Sequence, residues 1–165
     1  SFRDGWRHVK FMLLNAPSHV LSIPGIMLMT LGISLLGMSF LNIQPLGQQL
    51  GENTTIAGLL LFLVGYQAES LSIFTSVTSN TIKDPGEVIN NLILEKFSFE
   101  KGLITGASML VLGSVYAGLI VYKWYASGFS AVPEAKDSII AFIGIFTGIQ
   151  TIFYSLFLTM ILKDD

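Results

Sequence analysis

Four long apolar runs constrain this chain more than any other feature. They cover about residues 20–40, 56–77, 103–122 and 138–162, and Glu69 is the sole charge inside any of them. A bilayer core about 30 Å thick takes about 20 apolar residues at 1.5 Å per residue. Lipid offers no partner to a backbone N–H or C=O, so a spanning segment must be a helix or part of a closed barrel. The alternation of barrel strands is missing here. The runs predict four transmembrane helices, an all-α integral membrane four-helix bundle.

Composition excludes the competing classes. Hydrophobic residues make up 52% of the 165, charged residues 12%, and the mean hydropathy is +0.66. With its 16 glycines the chain is roughly 62% apolar, against about 45–50% for a soluble domain. A globule of this size exposes too much surface to hide that fraction, and disorder requires the opposite bias. The net charge of −2 provides no basic field, so no nucleic acid is expected as a partner. With no cysteine there is no disulfide, no cysteine–zinc site and no thiol chemistry. His8 and His19 are too far apart for a local metal motif, so no metal is expected in this chain. The start at Ser1, with no leader-like segment, reads as a processed chain or, the preferred reading, a fragment lacking its N-terminal part.

The flanks predict orientation. Arg3, Arg7, Lys10, Lys83, Lys96, Lys101 and Lys163 fall on one side of the four spans; Lys123 and Lys136 fall on the other. Seven against two places both termini in the cytoplasm. On the opposite face, Tyr122, Trp124 and Tyr125 fit an interfacial aromatic belt. Asn53-Thr54-Thr55 matches a glycosylation sequon, but lies almost against the membrane and reads as chance.

Two amphipathic segments share the basic side. In residues 2–14, Arg3, Arg7 and Lys10 recur at i, i+4, i+7, while Trp6, Val9 and Leu13 occupy another face. Such a helix can lie flat among headgroups, with Pro17 and Pro24 separating it from the first span. Asp84, Pro85 and Glu87 form a helix start, and Ile89, Leu92, Ile93 and Phe97 an apolar stripe, predicting an interfacial helix over about 85–97. Residues 1–17 are expected as an interfacial segment and 18–165 as the four-span domain. The cations suit anionic headgroups or a lipid phosphate, or serve only to anchor the topology.

Within the spans, Glu69 is costly and marks a candidate site. Tyr66, Glu69, Ser70 and Ile73 share one helix face, with Gln67 and Gln150 as further polar groups at depth. Two roles fit: a polar seam for a lipid headgroup or its phosphate, or interhelical hydrogen bonding, the reading preferred for Gln67 and Gln150. Gly102, Gly106, Gly113 and Ala117 mark one face of the third span; Gly144, Gly148, Thr151 and Ser155 mark one face of the fourth. The GxxxG matches at 102–106 and 144–148 are read as helix-packing faces.

No nucleophile–base pair or carboxylate metal motif is readable, and four spans leave no room for a separate catalytic domain. On the residues alone the chain is a membrane module. One reading makes it a non-catalytic scaffold subunit held by its glycine faces among other membrane subunits or in a homo-oligomer.

The opening FRDGWRHVKFMLL resembles the segment that follows the catalytic domain in membrane-anchored family 2 glycosyltransferases of the dolichol-phosphate-mannose-synthase-like kind. Collinear matches follow: Pro24-Gly25, Gly65-Tyr66-Gln67, Phe97-Ser98-Phe99-Glu100-Lys101-Gly102, Ser127-Gly128-Phe129 and Gly148-Ile149-Gln150-Thr151-Ile152-Phe153. The resemblance implies a membrane domain that positions a polyprenyl phosphate. A preceding domain, absent here, would hold the nucleotide sugar and a divalent metal. It further implies that Arg3, Arg7, His8 and Lys10 lie beside that active site, with Arg7 and Lys10 contacting the acceptor phosphate. Glu69 is not part of the family pattern.

Overall fold

The computed structural model describes residues 2–15, 17–43, 51–78, 99–130 and 132–162. All regular structure among them is helical: α1 (Phe2–Asn15), α2 (Pro17–Phe40), α3 (Glu52–Thr78), α4 (Phe99–Ala126) and α5 (Ala135–Leu162). The expected interfacial helix over 85–97, with Lys83 and Lys96, lies outside the described residues, as does Lys163.

Helices α2 to α5 are each long and apolar enough to cross a bilayer, over Val20–Phe40, Glu52–Thr75, Phe99–Ala126 and Ala135–Ile161. The chain is an integral, multi-pass membrane domain. Three of the helices outrun their apolar cores, because backbone groups at the membrane surface are still best satisfied within a helix. Acidic residues stand in the first turns, Glu52 in α3, Glu100 in α4 and Asp137 in α5, where they complement the helix dipole.

One expectation needs correction. Pro17 does open α2, but Pro24 lies inside that helix rather than separating it from α1. A proline ring removes one N–H and crowds the preceding turn; so near the start of a long helix, the remaining bonds carry the chain through.

Two helix ends away from α1 close in the same way. Asn42 takes a positive φ of 51° after α2, with bonds from Asn42 N to Ser39 O (3.4 Å) and Ile43 N to Met38 O (2.9 Å). Gly128 takes φ 65° after α4, with Gly128 N to Tyr125 O (3.0 Å) and Phe129 N to Trp124 O (3.1 Å). Both are Schellman caps, with six-to-one and five-to-two bonds that satisfy the last carbonyls. The accompanying apolar contact is Phe129 edge-on to Trp124 at 4.9 Å. Tyr122, Trp124 and Tyr125 are all exposed at this end of α4, as an aromatic belt requires.

The helices pack as two antiparallel hairpins, α2 with α3 and α4 with α5, joined along a seam between α3 and α5. Each hairpin is built on glycines that admit a neighbouring backbone. In the second, a Cβ placed on Gly113 would lie 2.6 Å from Ile145 N, and one on Gly148 would lie 2.5 Å from Leu110 N. Gly106 faces the Gly148 carbonyl, and Gly144 faces Gly113; Gly102 is buried on the same helix. The small faces of α4 and α5 therefore meet each other.

The first hairpin uses the same device at positions the GxxxG search passes over. A Cβ on Gly65 would lie 2.5 Å from Met29 N and 2.6 Å from Gly25 O, and Gly32 sits against Phe62 and the Gly58 carbonyl. Here the glycines recur every seven residues, 25 and 32 on α2, 58 and 65 on α3. Seven residues drift only about 20° around a helix, so they remain one face.

Candidate functional site

Helix α1 carries the first set of candidates. Arg3, Arg7, His8 and Lys10 are all exposed. At 100° per residue the first, second and last of these lie within one stripe, whereas His8 is turned about 100° from Arg7. The His8 ring folds back on its own helix, with Nδ1 3.2 Å from the Asp4 carbonyl. A carbonyl only accepts, so this contact places the ring proton on Nδ1 and leaves Nε2 outward. The rings of Trp6 and Phe11 are exposed on the same helix. The helix thus offers three cations on one stripe and uncovered rings beside it, the makings of a segment that lies at a headgroup layer.

The second set lies inside the bundle. A cavity of about 240 Å³ opens between α2, α3 and α5, in the half of the spans nearest α1. Tyr66, Glu69, Ser70 and Ile73 all line it, as their shared helix face requires. Met29 closes it from α2, while Tyr154, Ser155 and Leu158 face it from α5. Phe74 and Phe157 meet edge to face at 6.5 Å across the same seam.

The polar groups around the cavity differ in how they are satisfied. On α5 the hydroxyls of Thr147, Thr151, Ser155 and Thr159 stand four residues apart. Each donates to the carbonyl one turn back, Ile143, Thr147, Thr151 and Ser155, at 2.6–2.8 Å. Such back-bonding lets a hydroxyl sit in an apolar interior without an external partner. The Thr151 proton is therefore committed, and the 2.5 Å contact with Tyr66 Oη is one in which tyrosine donates and Thr151 Oγ1 accepts. Ser70 likewise donates to the Tyr66 carbonyl at 2.7 Å.

Glu69 is the exception. It is 9% exposed, and neither carboxyl oxygen has a hydrogen-bond partner among the described residues. Ser22 lies beside it, fully buried, with its own hydroxyl oxygen unpaired. One hydroxyl proton can cover one oxygen, so a carboxyl oxygen stays open however Ser22 turns.

The glutamines do not play the part expected of them. Gln67 is exposed, and the buried Gln150 Oε1 is unpartnered among the described residues. The side-chain bond joining α3 to α5 comes instead from Tyr66 and Thr151. Gln67 adjoins Tyr66 in sequence but is turned 100° from it, enough to move it from the seam to the outer surface. Sequence reasoning also passed over Ser22, Met29, Tyr154 and Leu158. Met29 and Leu158 carry no polar–apolar contrast in their apolar helices, and Ser22 and Tyr154 are hydroxyls that no motif singled out.

The opposite end has a smaller polar cluster. Lys136 donates to Ser39 O (2.8 Å) and Asn42 Oδ1 (3.1 Å), tying the start of α5 to the end of α2. Ser39 and Thr55 bond through their hydroxyls at 2.5 Å. Thr55 is fully buried, so the hydroxyl of the sequon is turned into the protein. Among the described residues no group of three histidines or acids could hold a metal ion.

The family described as the glycosyltransferase family 2 C-terminal transmembrane region matches residues 73–162. The low-salt glycan biosynthesis hexosyltransferase Agl6 of Haloferax volcanii is 37% identical over 158 residues. That match takes in 96% of this chain and 38% of the relative, so the chain spans well under half the relative's length. No solved structure matches.

Proposed function

The chain belongs to the glycosyltransferase family 2 C-terminal transmembrane family, and from that premise we propose that it anchors such an enzyme and positions its lipid acceptor. The acceptor is a polyprenyl phosphate, and the sugar comes from a nucleotide donor held by a catalytic domain outside this chain, where the divalent metal belongs. The observation that carries this reading is the exposed cation stripe of Arg3, Arg7 and Lys10 at the membrane end of α2.

Each cation near an anionic surface contributes about 1 kcal/mol of attraction. Arg7 brings a planar fork suited to phosphate oxygens, and Lys10 a point charge one turn away. Trp6 and Phe11 fix the depth of the helix, so the phosphate is met at the membrane surface while its chain remains in lipid. Holding the acceptor there converts a chance encounter into a positioned one. With seven cations against two, this face is the cytoplasmic one.

The test is kinetic, in the complete enzyme. Replacing Arg7 and Lys10 together by glutamine removes charge-assisted bonds worth about 1.5–3 kcal/mol each. The KM for polyprenyl phosphate should rise about tenfold or more, with the KM for nucleotide sugar unchanged. Unaltered acceptor kinetics would remove the assignment.

A further inference from the structure

We propose that the cavity between α4 and α5, at the end of the bundle remote from α1, binds the headgroup of a phospholipid, with its phosphodiester on Lys123 and a hydrogen-bond donor a few atoms beyond it on Asp137. The site lies in the opposite leaflet from the α1 cation stripe and does not depend on the role proposed for that stripe.

The sequence builds the cavity. On α4, Tyr116, Ile120 and Lys123 stand at i, i+4 and i+7 and share one helix face, the one that Gly113 presents to α5 a turn earlier. Pro133 and Asp137 line the other wall, in the approach to α5 and in its first turn. The space measures about 200 Å³, larger than the cavity of about 150 Å³ that holds benzene. Its polarity is ordered along α4. Leu119 and Ile120 line it one turn deeper in the span than Lys123 and Trp124. An apolar floor under a charged rim matches the order of acyl chain and headgroup in a lipid, and Trp124 sits in the aromatic belt that marks the interface.

The charges are available to a ligand. Lys123 is exposed, and nothing among the described residues bonds to its ammonium. Asp137 Oδ1 accepts from the Tyr116 hydroxyl at 2.8 Å, which holds the carboxylate in the cavity wall. Its Oδ2 has no partner among the described residues and is not a buried atom, so it is open. A carboxylate oxygen only accepts and an ammonium only donates, so the first calls for a donor and the second for an anion. The two unlike charges line one cavity without pairing with each other, and a headgroup that carries both an anion and a donor bridges them. Lys136, the other cation on this side of the spans, is already bonded to Ser39 O and Asn42 Oδ1 on α2.

Lipids with matched acyl chains separate the two contacts. Phosphatidylglycerol carries a phosphate and hydroxyl donors, phosphatidylethanolamine a phosphate and an ammonium donor, and phosphatidylmethanol a phosphate with no donor. Native mass spectrometry of the complete enzyme, delipidated in detergent and titrated with each, counts the lipids retained. The site is the one lipid per chain whose retention Lys123→Gln weakens about tenfold or more. Phosphatidylglycerol or phosphatidylethanolamine should be held there at least about tenfold more tightly than phosphatidylmethanol, and the better of the two names the donor. Asp137→Asn keeps one acceptor for Tyr116 and loses the second, so it should abolish that preference while the phosphate contact persists. Retention indifferent to Lys123→Gln, equal retention of the three lipids, or a preference that survives Asp137→Asn would each overturn the proposal. Displacement of the lipid by a millimolar excess of water-soluble glycerophosphoglycerol would also overturn it, by showing that the acyl chains are not needed. If Asp137→Asn fails to fold, the three lipids on the unmodified enzyme and on Lys123→Gln still decide.

Discussion

The Tyr66 hydroxyl donates to Thr151 Oγ1 at 2.5 Å, across the seam that joins the two hairpins, while Thr151 passes its own proton to Thr147 O. The two partners are therefore not equivalent. Tyr66→Phe leaves Thr151 still bonded to its own helix and should cost about 0.6 kcal/mol, the average for interhelical bonds in a membrane. Thr151→Val leaves a tyrosine hydroxyl without an acceptor and should cost about 1–3 kcal/mol. Thermal unfolding in detergent should show the larger loss for the valine variant; equal losses, or a larger loss for the phenylalanine variant, would overturn this direction of the bond.

Alanine scanning of the glycines should separate close packing from free surface. Gly65→Ala and Gly148→Ala drive a methyl against a neighbouring backbone nitrogen at 2.5 Å, and overpacking of that kind costs about 1–3 kcal/mol. At Gly118 an added methyl would meet nothing within 4 Å, so Gly118→Ala should leave stability unchanged or raise it by about 0.5–1 kcal/mol through helix propensity. The melting temperature and the folded yield of the three variants read this directly.

Lys136 is the polar tie at the end remote from α1. Lys136→Met keeps its apolar stem and removes the bonds to Ser39 O and Asn42 Oδ1. A loss of about 1–2 kcal/mol is expected, with faster hydrogen exchange confined to the last turn of α2 and the first of α5.

The absence of cysteine allows a clean test of orientation. Single cysteines at Gly5→Cys and Ser130→Cys sit on exposed positions at opposite ends of the spans. A membrane-impermeant maleimide applied to intact cells should label the second and spare the first until the cells are opened. The reverse pattern would place α1 outside and remove the cytoplasmic acceptor site.

The spans were legible because hydropathy over twenty residues is a strong signal; the apolar window of α2 begins and ends where the sequence places it. The cavity face of α3 was legible for a different reason. Tyr66, Glu69 and Ser70 are polar in an apolar helix, so their spacing alone assigns them to one side. The Gly25–Gly65 and Gly32–Gly58 contacts were not, because a search at four-residue spacing misses a seven-residue repeat. Gln67 misled by chemistry: an amide in a span suggests a bonded partner, but only the packing reveals that it points outward.

The join between the hairpins differs in kind from the hairpins themselves. Prising α2 from α3, or α4 from α5, means parting backbones that touch through glycine along their length. Between α3 and α5 beside the cavity, the Tyr66–Thr151 hydroxyl bond and the Phe74–Phe157 ring pair cross the seam, and no glycine there brings the two backbones together among the described residues. A solvent of lipid tails would therefore press on two unlike joints, backbone against backbone inside each hairpin and side chain against side chain between them.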